Sequence, residues 1–142
     1  AVERPSRGLA VGDLDGDGHP EAVIVNINAP PALLKNTGPK QNAVVIALEG
    51  TRSNRSAIGA EVRVDAGGPT QVQQVTGGGS YLSEHARERT FGLGQAERVD
   101  RLRVRWPNGE TQTWADLPVN VRVSVKEGTE EVAQKALTGR GR

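Results

Sequence analysis

The chain has 142 residues, a formal net charge of +1 and no cysteine. The length suits one compact domain with a small appendage, and the low net charge excludes a strong overall field for nucleic acids or anionic membranes. The absence of cysteine excludes disulfides, zinc–thiolate sites and a cysteine nucleophile. No apolar run approaches the roughly 20 residues of a membrane-spanning helix. The charge is uneven, because residues 1–30 hold two arginines and five acids.

An acidic loop is the first predicted element. Asp13, Asp15 and Asp17 occupy alternate positions, and Glu21 follows four residues after the last of them. Neighbouring carboxylates repel one another unless a cation neutralises them, and Ca²⁺ takes six to eight oxygen ligands at roughly 2.3–2.6 Å. The intervening glycines permit the tight backbone curl that aims several carboxylates at one point. The stretch therefore predicts a metal-binding loop, with an ordinary Asp/Gly turn as the alternative.

The start of this loop also matches an EF-hand, which requires a bidentate Glu at loop position twelve and a helix on either side. Counted from Asp13, position twelve is Ile24, which cannot bind a cation. The flanks, residues 9–11 and 22–25, are instead rich in residue types typical of strands. The loop is therefore predicted to join two strands.

The next elements in chain order predict a β-sandwich. Residues 26–42 contain two proline-bearing turn signals and are predicted as a linker without strands. Alternation with period two, or a short apolar run, then predicts six strands, at residues 43–48, 60–65, 71–75, 99–106, 111–114 and 121–126. Asn108-Gly109 is a strong hairpin signal. The predicted fold class is all-β, an antiparallel β-sandwich preceded by a β-hairpin.

Two further stretches have no strand pattern. Residues 76–95 are predicted as a long loop that is either functional or loosely ordered. Residues 129–142 are polar, with a weak helical tendency at 132–137, and are expected to fray as a flexible tail.

The acidic loop and its flanks resemble a known repeat. The segment GLAVGDLDGDG at residues 8–18, followed by an apolar strand, is similar to an FG-GAP (VCBS-type) repeat of β-propeller proteins, in which such a loop holds Ca²⁺. The resemblance implies five ligands, namely the side chains of Asp13, Asp15, Asp17 and Glu21 and the backbone carbonyl of His19. Glu21 stands where the family usually has Asp.

The rest of the chain resembles a second family. The motifs that carry the likeness are NRSAIGA at 54–60, GGSYLS at 78–83, FGLG at 91–94 and VRWPNG at 104–109. Together they are similar to the ASPIC/UnbV domain, which follows FG-GAP repeats in cartilage acidic protein and its bacterial relatives. The resemblance implies three segments: a partial FG-GAP repeat with its calcium loop and linker at 1–40, an ASPIC/UnbV β-sandwich at 41–128, and the tail at 129–142. It also implies a secreted, periplasmic or cell-surface location and no established enzymatic reaction.

A hydrolase is the competing interpretation of the polar residues Ser80, Ser83, His85 and Asp100, because a nucleophile needs a base and an orienting group. Their spacing does not support it, since the G-x-S-x-G turn is absent and His85 lies among charged residues typical of a solvated loop. We therefore predict an exposed loop histidine and no catalytic residues.

Two other features have a binding and a structural interpretation. Arg101, Arg103 and Arg105 form a ridge that fits either a sulfated or phosphorylated polymer or the solvent face of a strand paired with acids. Trp106 and Trp114 flank one hairpin and fit either a saccharide-stacking surface or, especially for Trp106, core packing. The four aromatic residues of the chain are too few for a nucleic-acid stacking platform.

The function predicted from the sequence is a non-enzymatic, calcium-stabilised extracellular interaction or adhesion module, the C-terminal fragment of a larger β-propeller protein. The alternative is a carbohydrate-binding module of a larger secreted enzyme or surface complex, and a catalytic accessory domain is a third possibility. Ca²⁺ is the expected cofactor. The expected partners are a protein or glycan and the rest of the propeller, with neither nucleic acid nor membrane insertion.

Overall fold

The computed structural model describes residues 5–138, and these residues form thirteen strands and no helix. The all-β prediction is confirmed. Consequently this part of the chain offers no helix able to cross a membrane. Residues 1–4 and 139–142, the outer ends of the predicted first and last segments, lie outside the described residues. The strands are β1 (Ser6–Gly12), β2 (Glu21–Asn26), β3 (Ala32–Leu34), β4 (Asn42–Glu49), β5 (Glu61–Asp65), β6 (Gln71–Gln74), β7 (Gly79–Ser80), β8 (Ser83–Glu84), β9 (Arg89–Gly94), β10 (Arg98–Arg105), β11 (Thr111–Pro118), β12 (Val121–Lys126) and β13 (Val132–Ala136).

The acidic loop belongs to an amino-terminal antiparallel sheet with strand order β1-β2-β3. β1 and β2 pair from Gly12 opposite Glu21 outward, so the loop is the connection of a hairpin, as predicted. The prediction of a strand-free linker at 26–42 is wrong for Ala32–Leu34, which pairs with β2 as β3. Three residues are too few for a periodic pattern to be visible in the sequence.

The sandwich consists of two four-stranded sheets, with orders β11-β10-β5-β6 and β13-β12-β4-β9. Alternation places Leu102 and Val104 of β10 in the core while the arginines next to them in the strand face solvent. Trp106, Phe91 and Ile46 are the largest apolar side chains buried between the sheets. The predicted antiparallel sandwich is confirmed, with β4 and β12 forming a parallel pair within it.

Part of the predicted loop at 76–95 is regular structure. Arg89–Gly94 forms β9 and pairs with β4, and it buries Phe91 and Leu93 in the core. The two glycines of this strand, Gly92 and Gly94, hid the alternation of its apolar residues. The preceding β7 and β8 form a short hairpin. We call residues 79–86, which comprise this hairpin with His85 and Ala86, the docking hairpin.

The predicted frayed, weakly helical end is wrong for Val132–Ala136. These residues form β13 and pair antiparallel with β12, from Val125 opposite Val132 to Val121 opposite Ala136. Alanine, glutamine and lysine favour a helix in isolation, but the open edge of β12 offers backbone partners along five residues, and tertiary pairing overrides propensity. Val132 also packs against the core, so the strand has an apolar anchor.

The docking hairpin holds the amino-terminal sheet against the sandwich along β1. The backbone N–H of Leu9 donates to Ser80 Oγ at 3.2 Å, and that of Val11 donates to His85 Nδ1 at 3.1 Å. The backbone N–H of Ala86 returns a hydrogen bond to the Val11 carbonyl at 2.8 Å. These contacts occupy the outer edge of β1, which an unpaired strand would otherwise leave open to other chains.

Candidate metal centre

The Asp13 carboxylate organises the acidic loop. Its oxygens accept hydrogen bonds from the backbone N–H groups of Gly16 at 2.9 Å, Asp17 at 3.0 Å and Gly18 at 2.8 Å. Gly16 and Gly18 have φ angles of 76° and 81°, a region that residues with a side chain rarely adopt. The glycine positions therefore let the backbone fold around one carboxylate.

Three of the predicted ligands converge at the base of this loop. Carboxylate oxygens of Asp13, Asp15 and Glu21 all lie within 4.8 Å of one another. The Glu21 side chain is buried, with the residue 4 % exposed, because it begins β2 beneath the loop. Three acids this close repel one another, and a divalent cation among their oxygens removes that repulsion.

Glu21 is only half satisfied by the protein. Its Oε2 accepts a hydrogen bond from the backbone N–H of Leu14 at 3.0 Å. Its Oε1 is buried and has no hydrogen-bond partner within residues 5–138. An unpaired buried carboxylate oxygen is costly, since buried charges in proteins are paired or bind metals. A cation bound beside Glu21 Oε1 would supply the partner that this atom lacks.

Asp17 and His19 are not part of this three-carboxylate group. The Asp17 residue is buried, its Oδ1 accepts a hydrogen bond from the backbone N–H of His19 at 2.9 Å, and its Oδ2 lies 3.7 Å from Lys40 Nζ. His19 is partly exposed beside Pro20 at the end of the loop. The oxygen cluster thus contains Asp13, Asp15 and Glu21, with Asp17 next to it.

Two lysines that sequence analysis missed face the loop. Lys35 Nζ lies 2.9 Å from Asp15 Oδ2, and Lys40 approaches Asp17. The hydrogen bond from Lys35 lowers the pKa of Asp15 and raises the pKa of Lys35 itself. The sequence did offer one signal for this role, because Lys35 and Lys40 are the only charged residues between Glu21 and Glu49.

The far end of the chain also contacts the loop. The backbone N–H of Thr138 donates to the Gly16 carbonyl at 2.8 Å, and its hydroxyl donates to the Asp15 carbonyl. Thr138 follows β13, so the loop is tied to the edge of the sandwich sheet that contains β12 and β13. The position of the acidic loop therefore depends on the strand that the sequence did not predict.

The residues of the hydrolase interpretation have separate structural partners. Ser80 and His85 bind the backbone of β1, Ser83 Oγ donates to the Tyr81 carbonyl, and Asp100 accepts hydrogen bonds from the Gly67 N–H and from Arg98. His85 is not an exposed loop residue as predicted. It is partly buried and packs on Gly79, where an added Cβ would lie 2.2 Å from the imidazole ring.

The arginine ridge lies on the solvent face of β10. Arg101 donates to Asp65 at 2.9 Å, and Arg105 lies 3.9 Å from Glu61. Arg103 stands opposite Arg63 in the register. The structural interpretation of this ridge, in which the arginines pair with acids on a neighbouring strand, therefore holds for two of the three arginines.

The two tryptophans have different surroundings. Trp106 is buried, at 1 % exposure, and its indole N–H donates to Gln112 Oε1 at 2.7 Å, so its assignment to the core is confirmed. Trp114 is half-buried against the core and donates to the Glu130 carbonyl at 2.7 Å. It also lines a surface groove of about 740 Å³ with Glu110 and Gln112.

A buried carboxylate of the sandwich, Glu127, was also missed. Its Oε2 accepts hydrogen bonds from three successive backbone N–H groups, those of Thr51, Arg52 and Ser53, at 2.7–2.8 Å. Its Oε1 accepts from Ser53 Oγ and from Asn108 Nδ2. Burial alone raises the pKa of Glu127, but the hydrogen bonds outweigh it and lower the pKa to about 2. Glu127 therefore joins the loop after β4 to the end of β12 and to the turn after Trp106.

The fold and the site define an all-β sandwich domain that carries a three-stranded sheet with an acidic loop. Residues 50–132 match the family described as ASPIC and UnbV. Because this match covers more than half of the chain, the chain belongs to the ASPIC and UnbV family. The matched region contains the docking hairpin, Trp106 and Glu127, whereas the acidic loop lies before it. No curated protein matches the chain.

Proposed function

We propose that the chain is a non-enzymatic, calcium-stabilised extracellular interaction module and that it belongs to a larger β-propeller protein. The observation that carries the metal assignment is the buried, unpartnered Oε1 of Glu21 beside the carboxylates of Asp13 and Asp15. A calcium ion bound there would supply positive charge to Glu21 Oε1, which accepts no hydrogen bond within residues 5–138.

The chemistry of the donors supports Ca²⁺ over a softer metal. The clustered atoms are all carboxylate oxygens, which suit Ca²⁺ and Mg²⁺, and the chain has no cysteine. Asp13, Asp15 and Glu21 would hold the ion directly. Asp17 and the backbone carbonyl of His19 would complete the set, as the FG-GAP resemblance implies. Loops of this kind in extracellular modules bind Ca²⁺ at roughly 10⁻⁴–10⁻³ M, so the ion would be a permanent structural component.

The exposed apolar surface of the amino-terminal sheet supports the propeller assignment. Leu33 and Leu34 are 62 % and 53 % exposed, and as neighbours in β3 they lie on opposite faces of the sheet. A blade of a propeller is covered on both faces by neighbouring blades. The structure of a longer chain of this protein tests the proposal. We expect both leucines to be buried against adjacent sheets, and leucines that stay in solvent would contradict it.

The non-enzymatic role is supported by the hydrogen bonds of the residues that a hydrolase would need. Ser80 and His85 are both used to hold β1, and Asp100 is bound elsewhere to Gly67 and Arg98. A triad requires its nucleophile, base and orienting group to be hydrogen-bonded to one another. Loss of turnover of an ester or glycoside panel on His85→Ala, with the fold retained, would overturn this part of the proposal.

Calcium dependence of thermal unfolding tests the metal assignment. With a dissociation constant of roughly 10⁻⁴–10⁻³ M, calcium at about 10 mM stabilises the folded state by about 1.4–2.7 kcal/mol relative to EDTA. That corresponds to a rise in Tm of about 4–10 °C for a domain of this size. Asp15→Asn should abolish the rise, whereas Asp116→Asn, an acid in the sandwich, should retain it. An unchanged Tm for the wild-type protein would contradict the calcium proposal.

A saccharide-binding role is the second candidate, and Trp114 is the observation that favours it. This half-buried indole borders a groove whose other lining residues include the polar Glu110 and Thr113. A partly exposed ring beside hydrogen-bonding groups suits a sugar, which has an apolar face and a rim of hydroxyls. A glycan array with wild-type protein and Trp114→Ala tests this role. Binding that disappears in a folded variant supports it, and an array without binding contradicts it.

A further inference from the structure

Lys35 and Lys40 bring two positive charges to the acidic loop from a segment that otherwise has none. They are the only charged residues between Glu21 and Glu49. Both side chains nevertheless end at aspartates of the loop, Lys35 at Asp15 and Lys40 at Asp17. Lys35 follows β3 directly, so the pairing of β3 with β2 fixes the point from which its side chain reaches the loop.

The three clustered carboxylates are not neutralised in the same way. All three accept hydrogen bonds from neutral backbone N–H groups, and Asp15 in addition accepts one from the ammonium group of Lys35 at 2.9 Å. Lys35 is therefore a side-chain cation that binds the three-carboxylate group directly. An ammonium and a divalent cation at the same carboxylate compete, because the two positive charges repel each other and both bind to carboxylate oxygens.

We propose that Lys35 is a tethered counter-ion that must leave Asp15 when a divalent cation binds, and that Lys35 thereby sets the affinity of the site. This inference rests on the proposed metal site and concerns its regulation. Lys35 stabilises the loop when the ion is absent, because it offsets part of the repulsion among the acids. It also weakens the binding of the ion, because its own contact is lost or strained when the ion is present.

The exposure of the pair makes such an exchange inexpensive. The side chains of Lys35 and Asp15 are 62 % and 43 % exposed, so the ammonium group can move into water without crossing packed structure. Exposed pairs of this type are individually weak, and the remaining repulsion between the ammonium and a divalent ion adds to the competition. The combined effect is a dissociation constant raised roughly three- to tenfold by Lys35.

Calorimetric titration with CaCl₂ at low ionic strength tests this role, using Lys35→Gln, Lys35→Arg and Lys126→Gln. Lys35→Gln removes the charge and should lower the dissociation constant roughly three- to tenfold. Lys35→Arg keeps the charge and should bind as the wild-type protein does. Lys126→Gln is the matched control, because Lys126 lies at the end of β12 that is far from the acidic loop. The other end of β12, next to Asn120, is the one near Thr138 and its contact with the loop. Lys126→Gln should also leave the dissociation constant unchanged.

Thermal unfolding in EDTA gives an independent readout. Lys35→Gln should lower Tm in EDTA relative to Lys126→Gln, because the acids lose their internal counter-ion. The calcium-induced rise in Tm should be larger in Lys35→Gln than in the wild-type protein. Equal dissociation constants for wild type and Lys35→Gln, or weaker binding by Lys35→Gln, would overturn the role of Lys35. Absence of binding by all four proteins would instead overturn the metal site itself.

Discussion

Glu21 and Glu127 are two buried glutamates that the protein treats in opposite ways. Both side chains are shielded from water, with 4 % and 2 % of each residue exposed. Glu127 accepts five hydrogen bonds, three of them from successive backbone N–H groups, whereas Glu21 accepts one and leaves Oε1 without a partner. The sandwich thus provides hydrogen-bond donors for both oxygens of its buried carboxylate, whereas the acidic loop provides a donor for only one oxygen of Glu21.

The difference in hydrogen bonding indicates different roles for the two carboxylates. A fully satisfied buried carboxylate needs no outside ligand and acts as an anchor for the backbone around it. A buried carboxylate that has one unpaired oxygen and lies next to two other acids destabilises the folded protein, and a bound cation would remove that cost. Glu127 lies within the family match and Glu21 outside it, so the anchor belongs to the ASPIC and UnbV domain and the proposed cation site to the sheet that precedes it.

The largest expected effect follows removal of the anchor. Glu127→Ala leaves three backbone N–H groups without their acceptor and should lower the free energy of unfolding by at least about 3 kcal/mol. Urea denaturation measures it, with Glu97→Gln, an exposed acid, as a control expected within about 0.5 kcal/mol of wild type. The calcium-induced rise in Tm should persist in Glu127→Ala, since Glu21 lies in the amino-terminal sheet whereas Glu127 follows β12 of the sandwich. Loss of that rise would show that they are coupled.

Acid should remove the same stabilisation without a mutation. The pKa of Glu127 is lowered from 4.5 to about 2 on folding, so the unfolded chain binds more protons between these values. Its contribution is complete above about pH 4.5 and is lost as pH falls towards 2, at up to about 1.4 kcal/mol per pH unit, the limit for one proton. Urea denaturation at several pH values in this window measures the slope. A Glu127→Gln variant with the wild-type slope would contradict the assignment.

The effect of Glu21→Gln should change sign with calcium. In EDTA the amide removes one charge from the cluster and can donate to a neighbouring carboxylate, so the variant should be about 1 kcal/mol more stable than wild type. In calcium it lacks an anionic ligand and should be about 1–2 kcal/mol less stable. Paired urea denaturation curves measure the crossover. A variant that is less stable under both conditions would mean that Glu21 is an anchor like Glu127.

The smallest expected effect concerns the docking hairpin. His85→Ala removes the acceptor of the Val11 N–H and should cost about 1 kcal/mol locally, seen as faster hydrogen exchange at the Val11 amide. His85→Asn is the matched variant, because its side-chain oxygen can take the position of Nδ1 and should restore part of the protection. Unchanged exchange at Val11 in His85→Ala would contradict the role of the hairpin in holding β1.

The fold was predictable wherever alternation was visible. β4, β5, β6, β10, β11 and β12 were found in this way, and the Asn108-Gly109 turn separates β10 from β11 as expected. β9 and β13 were missed, since glycines interrupt the first and helix-favouring residues make up the second. Both are strands because β4 and β12 have open edges to be paired, a tertiary cause that no local pattern contains.

The candidate site was predictable to the extent that its groups are close in sequence. Asp13, Asp15 and Glu21 lie in one short loop, so their convergence could be anticipated from spacing. Lys35 reaches the loop through the pairing of β3, and Thr138 reaches it through the pairing of β13. These contacts depend on register between distant segments, which a single sequence does not display.

A crystal structure of the chain grown with millimolar Ca²⁺ tests the central claim most directly. We predict an ion at roughly 2.3–2.6 Å from Glu21 Oε1, with Asp13 and Asp15 among its other ligands and Lys35 displaced from Asp15. Glu127 should keep its five hydrogen bonds unchanged. A structure in which no ion lies at the loop, and in which Glu21 Oε1 instead finds a protein or water donor, would contradict the account.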